Sequence, residues 1–508
     1  MRHYIREVGL HGLVYTISTV AGSAMGFVLI PLLTAWLSPS EYGIVANVQS
    51  LVNLFNVLFA FGMTVTWSRY WFEFDEGSRQ QRRFLGTTMV FVMGWSLLLS
   101  SVMFIIGPWL FRHVLPGVEF YPYGAIALGT SLCMVVFNQQ QIIFRVRQKS
   151  WWFAVLNIGR LVFTVGLVVL GVGVLRWAAL GKVAADLIVA ALGAVIALAL
   201  LLRRITISFE TAHLREALRY AVPVLPHTLA VVILQITDKF FLTNLRGLDD
   251  TGVYSIAFKF GSIMSIVAYS ANMSWHPFFM KTAAEKGDEA PPVFARMTTY
   301  WFMVMLLVGL LITLFSREVV QLFTFSEPYR AAAPLVPVFV FGYLLYGAYM
   351  LAATQVFYAK RAVRLLPVAT ITAGVLNIAL NALLIPRWGM YGAAWATFCS
   401  YVASLLLAFV LAQRHYPVPY EWKRLGALML LTGLAVGGYY GLHAWAPGVW
   451  VALGIKLGLV GAWLLALFAT GFLSPSERAN MIDMVRQMLA ARRNRKRANG
   501  DEAGPQID

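Results

Sequence analysis

Long apolar stretches recur along most of this 508-residue sequence and limit its fold more than any other feature. A stretch of about 20 apolar residues crosses the roughly 30 Å hydrocarbon core of a bilayer as one helix. The alternating pattern of a membrane β-barrel is missing from the sequence. Hydrophobic residues make up 59% of the chain and charged residues 12%, about half the charged fraction of a soluble domain. The sequence therefore predicts an all-α, polytopic membrane protein.

Hydropathy and turn signals place fourteen helical spans along the chain. The first span is too long for the apolar part of a signal peptide, so we interpret it as a membrane helix. The predicted spans are 10–34, 44–66, 85–108, 123–143, 153–175, 178–202, 222–243, 253–274, 297–315, 334–357, 365–385, 391–412, 425–443 and 449–472. Because their number is even, both termini are expected on the same side of the membrane.

The positive charges set the orientation of these spans. The sequence carries 40 Lys and Arg residues against 23 Asp and Glu, a formal net charge of +17. With the termini inside, the predicted cytoplasmic segments hold 29 Lys and Arg residues, the loops on the other side hold six, and five lie within spans. Cytoplasmic loops of membrane proteins carry such an excess. We therefore predict cytoplasmic termini, and we expect membrane lipids rather than nucleic acid to meet the basic surface.

Three short motifs recur at an offset near 210 residues, which indicates an internal repeat. They are Leu33-Thr34 and Glu41-x-Gly43 with Leu242-Thr243 and Asp250-x-Gly252, Thr87-Thr88 with Thr298-Thr299, and Arg176-Trp177 with Arg387-Trp388. Parallel repeats characterise transporters that alternate access around a central cavity. We predict an N-lobe at 1–205 with spans 1–6, a C-lobe at 206–413 with spans 7–12, and spans 13 and 14 at 414–473. Residues 474–508 either lie on the inner leaflet as a basic amphipathic helix or serve only to fix the topology.

Several catalytic classes lack their characteristic residues in this sequence. There is no G-x4-G-K-[ST] nucleotide loop, since valine follows Gly181-Lys182, and there is no H-E-x-x-H motif or His/Cys cluster. The loops between spans are short, so no soluble domain is expected outside the membrane. We therefore expect no resident cofactor or metal, no ATP hydrolysis by this chain, and no enzymatic activity such as glycosyl transfer.

Charged residues within the spans are the main candidates for function, because a charge is costly inside the bilayer. Spans 5 to 8 contain six of them: Arg160, Lys182, Asp186, Asp238, Lys239 and Lys259. Arg160 and Lys259 have no partner on their own helix, which favours a position in a cavity over an ion pair between helices. Since spans 5 to 8 come from both predicted lobes, their inward faces could share one cavity. Such a cavity is net cationic and suits a phosphate or diphosphate.

The other charges also have structural interpretations. Lys182 and Asp186 lie four residues apart on one helix and could simply pair. Lys239 could extend to the outer surface, as we expect for Lys456 in span 14. The amides of span 2 suit sugar hydroxyls, although hydrogen bonds between helices explain them nearly as well. These amides are Asn47, Gln49, Asn53 and Asn56.

Four stretches of the sequence resemble one protein family. They are LSPSEYG at 37–43, YAVPVLPHTL at 220–229, DKFFLTNLRGLDDTGVYSIAFKFGS at 238–262 and LIPRWGMYGAAWAT at 384–397. These stretches are similar to the polysaccharide-biosynthesis flippases, the Wzx-like oligosaccharide-lipid translocases of the multidrug/oligosaccharidyl-lipid/polysaccharide (MOP) exporter superfamily. The helix count expected of that family extends the resemblance over essentially the whole chain.

The resemblance implies two six-helix lobes around a V-shaped cavity. It implies alternating access that moves an undecaprenyl-diphosphate-linked oligosaccharide from the inner to the outer leaflet of the bacterial cytoplasmic (inner) membrane, for polysaccharide or lipopolysaccharide O-antigen synthesis. Lys259 and Arg160 would then hold the diphosphate. The other cavity cations are Lys239 and Lys182, and the candidates for a gate or for coupling to H⁺ or Na⁺ are Asp238 and Asp186. The lipid tail would lie outside the cavity near spans 13 and 14, and partners would include polysaccharide polymerase or assembly proteins.

Two other functions stay open at this point. An ion-coupled drug or cation antiporter of the same superfamily would need intramembrane acids, for which Asp186 and Asp238 are the candidates. A subunit of an exopolysaccharide export complex, without flippase activity of its own, is the second alternative. The excess of basic over acidic residues in the spans favours an anionic substrate over the cationic substrate of an antiporter.

Overall fold

The computed structural model describes residues 26–359, 365–443, 448–469 and 472. Within these ranges the chain is helical and contains no strand. The start of span 1 and the tail predicted at 474–508 lie outside the described residues. The helices are α1 (Gly26–Trp36), α2 (Pro39–Ala60), α3 (Met63–Tyr70), α4 (Arg79–Val114), α5 (Ala125–Val146), α6 (Ser150–Val168), α7 (Ala178–Leu202), α8 (Thr211–Leu245), α9 (Leu248–Gly261), α10 (Ile263–Lys286), α11 (Ala290–Leu314), α12 (Ser316–Phe323), α13 (Val336–Tyr358), α14 (Leu366–His415), α15 (Trp422–His443) and α16 (Val449–Ala469). Short helical turns lie at Phe120–Gly124, Val169–Val174, Gly287–Glu289 and Glu327–Leu335.

The predicted fold class is confirmed by the length and composition of these helices. Eleven helical segments of the described chain are long and apolar enough to cross a membrane. Two of the segments, Leu248–Leu314 and Leu366–His415, each contain two predicted spans. Spans 11 and 12 are joined without a loop at Gly389, whose φ of 55° and ψ of −133° suit glycine alone. Spans 2 to 14 therefore each have a helical counterpart, and α1 covers the end of span 1.

The start of α2 differs from the predicted span 44–66, because local capping extends the helix. Ser38 and Glu41 form a capping box, in which the Ser38 amide donates to Glu41 Oε2 at 2.8 Å and the Glu41 amide donates to Ser38 Oγ at 3.3 Å. The helix ends at Phe61 and Gly62, both in the left-handed region. Gly62 lies against Ala221 of α8, so the end of α2 meets the second half of the chain.

The halves before and after residue 205 meet most closely where α2 packs against α9. A Cβ added to Gly43 would lie 2.2 Å from the Leu248 carbonyl oxygen, and one added to Gly252 would lie 2.0 Å from the Pro39 carbonyl oxygen. Gly43 and Gly252 are equivalent in the sequence repeat, and Pro39 and Leu248 stand at the same offset. The contact is therefore reciprocal, and glycine permits a backbone approach that any side chain would block.

The segment that links the two halves is bound to the start of α4. The Thr206 amide donates to the Arg82 carbonyl at 2.9 Å, and Arg83 forms an ion pair with Glu210 at 3.1 Å. A Cβ at Gly86 would lie 1.9 Å from the Thr206 carbonyl oxygen. The linker is thus held against the first half of the chain up to the residue that precedes α8.

Candidate functional site

Two lysines of the second half lie at its contact with α2. The Lys239 Nζ lies 4.7 Å from the centroid of the Phe258 ring and 3.4 Å from Ser50 Oγ of α2. The Lys259 Nζ lies 5.3 Å from the centroid of the Tyr42 ring. The two ammonium groups are near enough to repel each other. Neither forms an ion pair with a carboxylate in the described part of the chain, although the Asp238 carboxylate partly offsets the charge of Lys239. The contact therefore carries a net positive charge suited to an anion.

Three exposed amides lie on α2 and α8, the helices joined by the contact between Lys239 and Ser50. Gln49 and Asn53 lie one turn apart on α2, and Gln235 lies one turn before Lys239 on α8. Exposed amides within apolar spans are costly unless they face water or a polar ligand. Asn47, which the sequence grouped with Gln49 and Asn53, is instead buried and donates to Thr243 of α8 at 2.7 Å. Span 2 therefore has two kinds of amide. Gln49 and Asn53 are exposed, whereas Asn47 links the two halves by a hydrogen bond.

Asp238 faces a different way from its neighbour Lys239, into the interior of the second half. Its carboxylate is 1% exposed and accepts four side-chain hydrogen bonds. The donors are the Tyr254 hydroxyl at 2.6 Å, Asn381 Nδ2 at 2.7 Å, Asn377 Nδ2 at 3.3 Å and the Thr397 hydroxyl. The Asn381 Oδ1 is buried without a partner among the described residues. Asp238 is therefore the centre of an oxygen-rich polar cluster. The cluster is contributed by α8, α9 and the parts of α14 before and after Gly389.

The sequence indicated Asp238 but not the residues that hold it. Asn377 and Asn381 lie four residues apart in an apolar span, so both stand on one face of the helix. This spacing is the sequence feature from which a polar cluster on that helix face could have been predicted. Thr397 and Tyr254 belong to the quoted family stretches, yet nothing in their spacing indicates that they approach Asp238.

The remaining charged candidates form a second cluster within the first half. Lys182 Nζ lies 2.5 Å from Asp186 Oδ2 on α7. The Arg160 guanidinium of α6 lies 5.2 Å from the centroid of the Phe137 ring of α5 and interacts electrostatically with Asp186. All of these contacts stay among α5, α6 and α7. Among the described residues, no hydrogen bond or ion pair joins this cluster to Lys239 or Lys259.

By their direct contacts, the predicted cations fall into two groups, one at the contact between the halves and one within the first half. The interhalf group contains Lys239 and Lys259 and contacts α2, whereas Arg160 contacts α5 and α7 of the first half. The pairing of Lys182 with Asp186, which the sequence left open, is present. Its neutralisation leaves Arg160 as the excess positive charge of that group.

Lys456 does not extend to the surface, so that expectation was wrong. Its side chain is fully buried, and its Nζ lies 2.5 Å from Glu318 Oε1 of α12 and 4.9 Å from the centroid of the Tyr439 ring. The ion pair joins α16 to a short helix that follows α11. The charge of Lys456 thus has a structural partner that lies far away in the sequence.

The helical architecture defines a multi-span membrane protein, and solved structures of a flippase and of transporters have the same fold. The lipid II flippase MurJ in an inward-closed conformation matches with a TM-score of 0.73 at 12% identity, over 90% of this chain and 98% of that one. An inward-facing multidrug resistance MATE family transporter of the MOP superfamily matches with a TM-score of 0.63 at 16% identity, over 81% and 95%. A point mutant of the MATE transporter VcmN of Vibrio cholerae gives a TM-score of 0.52 at 13% identity, over 80% and 96%. The chain has the fold of the MOP superfamily.

The sequence itself places the chain within that superfamily. The polysaccharide biosynthesis protein family matches residues 10–283, more than half of the chain, and the MatE family matches residues 223–383. The chain therefore belongs to the polysaccharide biosynthesis protein family, as its sequence motifs predict. No curated protein sequence matches the chain.

Proposed function

We propose that this protein is a flippase for an oligosaccharide linked to undecaprenyl diphosphate. It moves the substrate from the inner to the outer leaflet of the bacterial cytoplasmic (inner) membrane for polysaccharide or O-antigen synthesis. Family membership and the transporter fold support a flippase in general. The identity of the lipid and of the glycan is the proposed part.

The observation that carries this proposal is the pair of lysines at the contact between the halves. Lys239 and Lys259 repel each other and have no carboxylate partner among the described residues. A diphosphate placed between them would remove that repulsion and form charge-assisted hydrogen bonds. Gln49, Asn53 and Gln235 lie exposed on adjoining helices and can bond sugar hydroxyls. One site could thus hold both the charged linkage and the glycan.

Asp238 is the proposed coupling group, with Asp186 as the lesser candidate. A buried carboxyl can take up a proton, and its cluster also offers carbonyl and hydroxyl oxygens of the type that Na⁺ binds. Asp186 is already neutralised by Lys182. Because Asp238 and Tyr254 join α8 to α9, occupancy of this cluster would alter the same helices that carry Lys239 and Lys259.

In the proposed cycle, the predicted lobes at 1–205 and 206–413 rock against each other. The termini and the basic segment at 474–508 face the cytoplasm, and the segment at 414–473 adds two helices beside the second lobe. Packing of α15 on α11 is consistent with that addition. Membrane lipids surround the protein, and polysaccharide polymerase or assembly proteins are its proposed partners. Translocation needs no resident cofactor or enzymatic step in this mechanism.

A drug or cation antiporter is the second candidate, because a MatE family match covers residues 223–383. The buried acid Asp238 lies within that range and suits a cationic ligand. The unpaired lysines argue against a cationic substrate at the contact between the halves. A supporting role in an export complex is a further alternative, which the following experiment also tests.

The proposal is tested on the lipids of a strain that lacks this protein. We expect a polyprenyl-diphosphate oligosaccharide to accumulate, identified by mass spectrometry of extracted lipids. Lys259→Ala supplied in trans should leave the accumulation unchanged, because it removes one of the two cations. Lys281→Ala is the matched control, since Lys281 is exposed and paired with Glu285 at 3.8 Å, and it should restore the normal profile.

An unchanged lipid profile in the deletion strain would argue against the flippase and favour the antiporter or the accessory role. Full rescue by Lys259→Ala would keep the flippase but remove the lysine pair as its substrate site. Protein levels measured by immunoblot for both variants separate loss of function from loss of folding.

A further inference from the structure

One tyrosine of the first half is enclosed by groups of the second half where α2 meets α9. Tyr42 of α2 is 1% exposed. The centroid of its ring lies 5.8 Å from that of Tyr329, at an interplanar angle of 70°, and 5.3 Å from Lys259 Nζ. Tyr329 belongs to the helical turn Glu327–Leu335, and Lys259 belongs to α9. Tyr42 therefore contacts a ring and an ammonium group that both come from the other half.

Tyr329 adds a hydrogen bond to this interhalf contact. It is fully buried, and its hydroxyl donates to the carbonyl of Leu37, between α1 and α2, at 3.0 Å. Its edge-to-face arrangement with Tyr42 is a favourable one for aromatic rings. The two tyrosines and Lys259 therefore hold the halves together here, and all three contacts must break if the halves separate at α2 and α9.

The hydroxyl of Tyr42 acts in the opposite direction from its ring. It is buried without a hydrogen-bond partner among the described residues, which costs free energy that a phenylalanine in the same place would not lose. Water reaches this hydroxyl only when the halves separate. The ring attracts the ammonium group of Lys259 and favours the closed contact, whereas the hydroxyl favours the open one.

We propose that Tyr42 is a positioning residue that makes the separation of the halves depend on a diphosphate bound at Lys259. The inference rests on the proposed role of Lys259 in holding the substrate. The ring attracts the ammonium group because that group is charged. A bound diphosphate neutralises the charge and takes hydrogen bonds from the same Nζ, so the attraction to the ring weakens. The anion thus binds more tightly to the open form, where Lys259 is free of the ring, and shifts the equilibrium toward it.

The experiment measures the distance between the halves of the full-length protein in detergent as a short prenyl diphosphate is added. The native Cys133 and Cys399 are replaced, and spin labels are placed at Glu119→Cys and Gln321→Cys, exposed positions in the two halves. Double electron–electron resonance then gives the ratio of open to closed molecules. The probe is farnesyl diphosphate, and farnesol, which has the same chain without the diphosphate, is the control ligand. Farnesyl diphosphate alone should raise the ratio about tenfold.

Two variants of Tyr42 separate the effect of its ring from that of its hydroxyl. Tyr42→Phe keeps a ring beside Lys259 and loses the unpartnered hydroxyl, so it should start more closed and still respond about tenfold. Tyr42→Leu has no ring, so its ratio should be raised before the probe is added and should then stay unchanged. Tyr329→Phe is the matched control, because it loses the bond to Leu37 but leaves Tyr42 beside Lys259. It should start more open and keep the full response.

Binding of farnesyl diphosphate is measured separately by calorimetry, so that the inference and the proposed function can fail separately. Absence of binding, or equal binding by Lys259→Ala, would overturn the substrate role of Lys259 and the inference with it. Binding by the wild-type protein without a change in distance would overturn the role of Tyr42 alone. A tenfold response in Tyr42→Leu would also overturn it, because the ring would then have no part in the response. Loss of the response in Tyr42→Phe would do the same, since that variant keeps the ring.

Discussion

Adjacent residues of opposite charge serve different parts of this molecule. Asp238 and Lys239 follow one another in α8, and successive residues of a helix point about 100° apart. The carboxylate therefore enters the cluster of α9 and α14, whereas the ammonium group reaches Ser50 of α2. One turn of α8 thus connects the proposed coupling cluster with the proposed substrate cations. Movement of that turn would affect both groups together.

The Lys182–Asp186 pair gives a prediction at this scale. Asp186→Ala leaves the buried ammonium of Lys182 without its carboxylate and also removes the negative charge that attracts Arg160. Removal of one partner from a buried pair costs about 3–5 kcal/mol, so the melting temperature in detergent should fall clearly. Lys182→Ala/Asp186→Ala removes both charges and should recover most of the loss. A double variant as unstable as Asp186→Ala would contradict stabilisation by pairing.

Sequence reasoning at the residue scale identified the intramembrane charges but few of their partners. Lys182 and Asp186 could be paired because both lie on one helix face. The partner of Lys456 could not be predicted, because Glu318 precedes it by 138 positions and lies on a different helix. Asn377 and Asn381 gave a weak signal through their spacing. Their approach to Asp238 depends on the hairpin of α14, which no local pattern specifies.

The helices themselves were predictable because burial in lipid demands long apolar segments with satisfied backbone groups. The ends of the helices were less predictable, because they depend on local chemistry. Ser38 and Glu41 start α2 earlier than hydropathy indicates, and Gly62 ends it within predicted span 2. Hydropathy divides residues 365–412 into two spans, and the chain reverses its direction between them at Gly389. Caps and single glycines, rather than apolar content, therefore decide where these helices begin and end.

The linker between the halves gives a prediction at the scale of elements. Gly86→Ala would place a methyl group 1.9 Å from the Thr206 carbonyl oxygen and displace the linker from α4. Overpacking of this kind costs about 1–3 kcal/mol. Gly94→Ala, on the same helix with no atom within 4 Å, should instead be neutral or gain up to about 1 kcal/mol from helix propensity. Thermal unfolding in detergent measures both, and equal shifts in the two variants would exclude a role for the linker contact.

The whole molecule must open on one side while it closes on the other if it alternates access. The contact of α2 with α9 is the place where the backbones of the two halves approach most closely. Its two glycines occupy equivalent positions of the repeat, and each faces a carbonyl group of the opposite half. Two halves that meet in this way can separate without breaking any side-chain bond at the glycines. The contact between α2 and α9 is therefore suited to a side of the protein that opens and closes repeatedly.

This reciprocity predicts that Gly43→Ala and Gly252→Ala have the same effect. Either methyl group would meet a backbone carbonyl of the other half, at 2.2 Å or 2.0 Å, which neither helix can relieve by a rotamer change. The conformation with this side closed should lose population to the one with it open. Spin labels at Glu119→Cys and Glu327→Cys, exposed positions in the two halves, should then show longer distances by double electron–electron resonance. The native cysteines, Cys133 and Cys399, are replaced beforehand.

Gly166→Ala is the control for this measurement, because no atom lies within 4 Å of its added Cβ. It should leave the distance distribution unchanged. A shift with only one of the two interhalf variants would contradict the reciprocal contact, since both methyl groups oppose the same closure. Unchanged distances in both folded variants would mean that the halves do not separate at α2 and α9, and the rocking motion would then need a different axis.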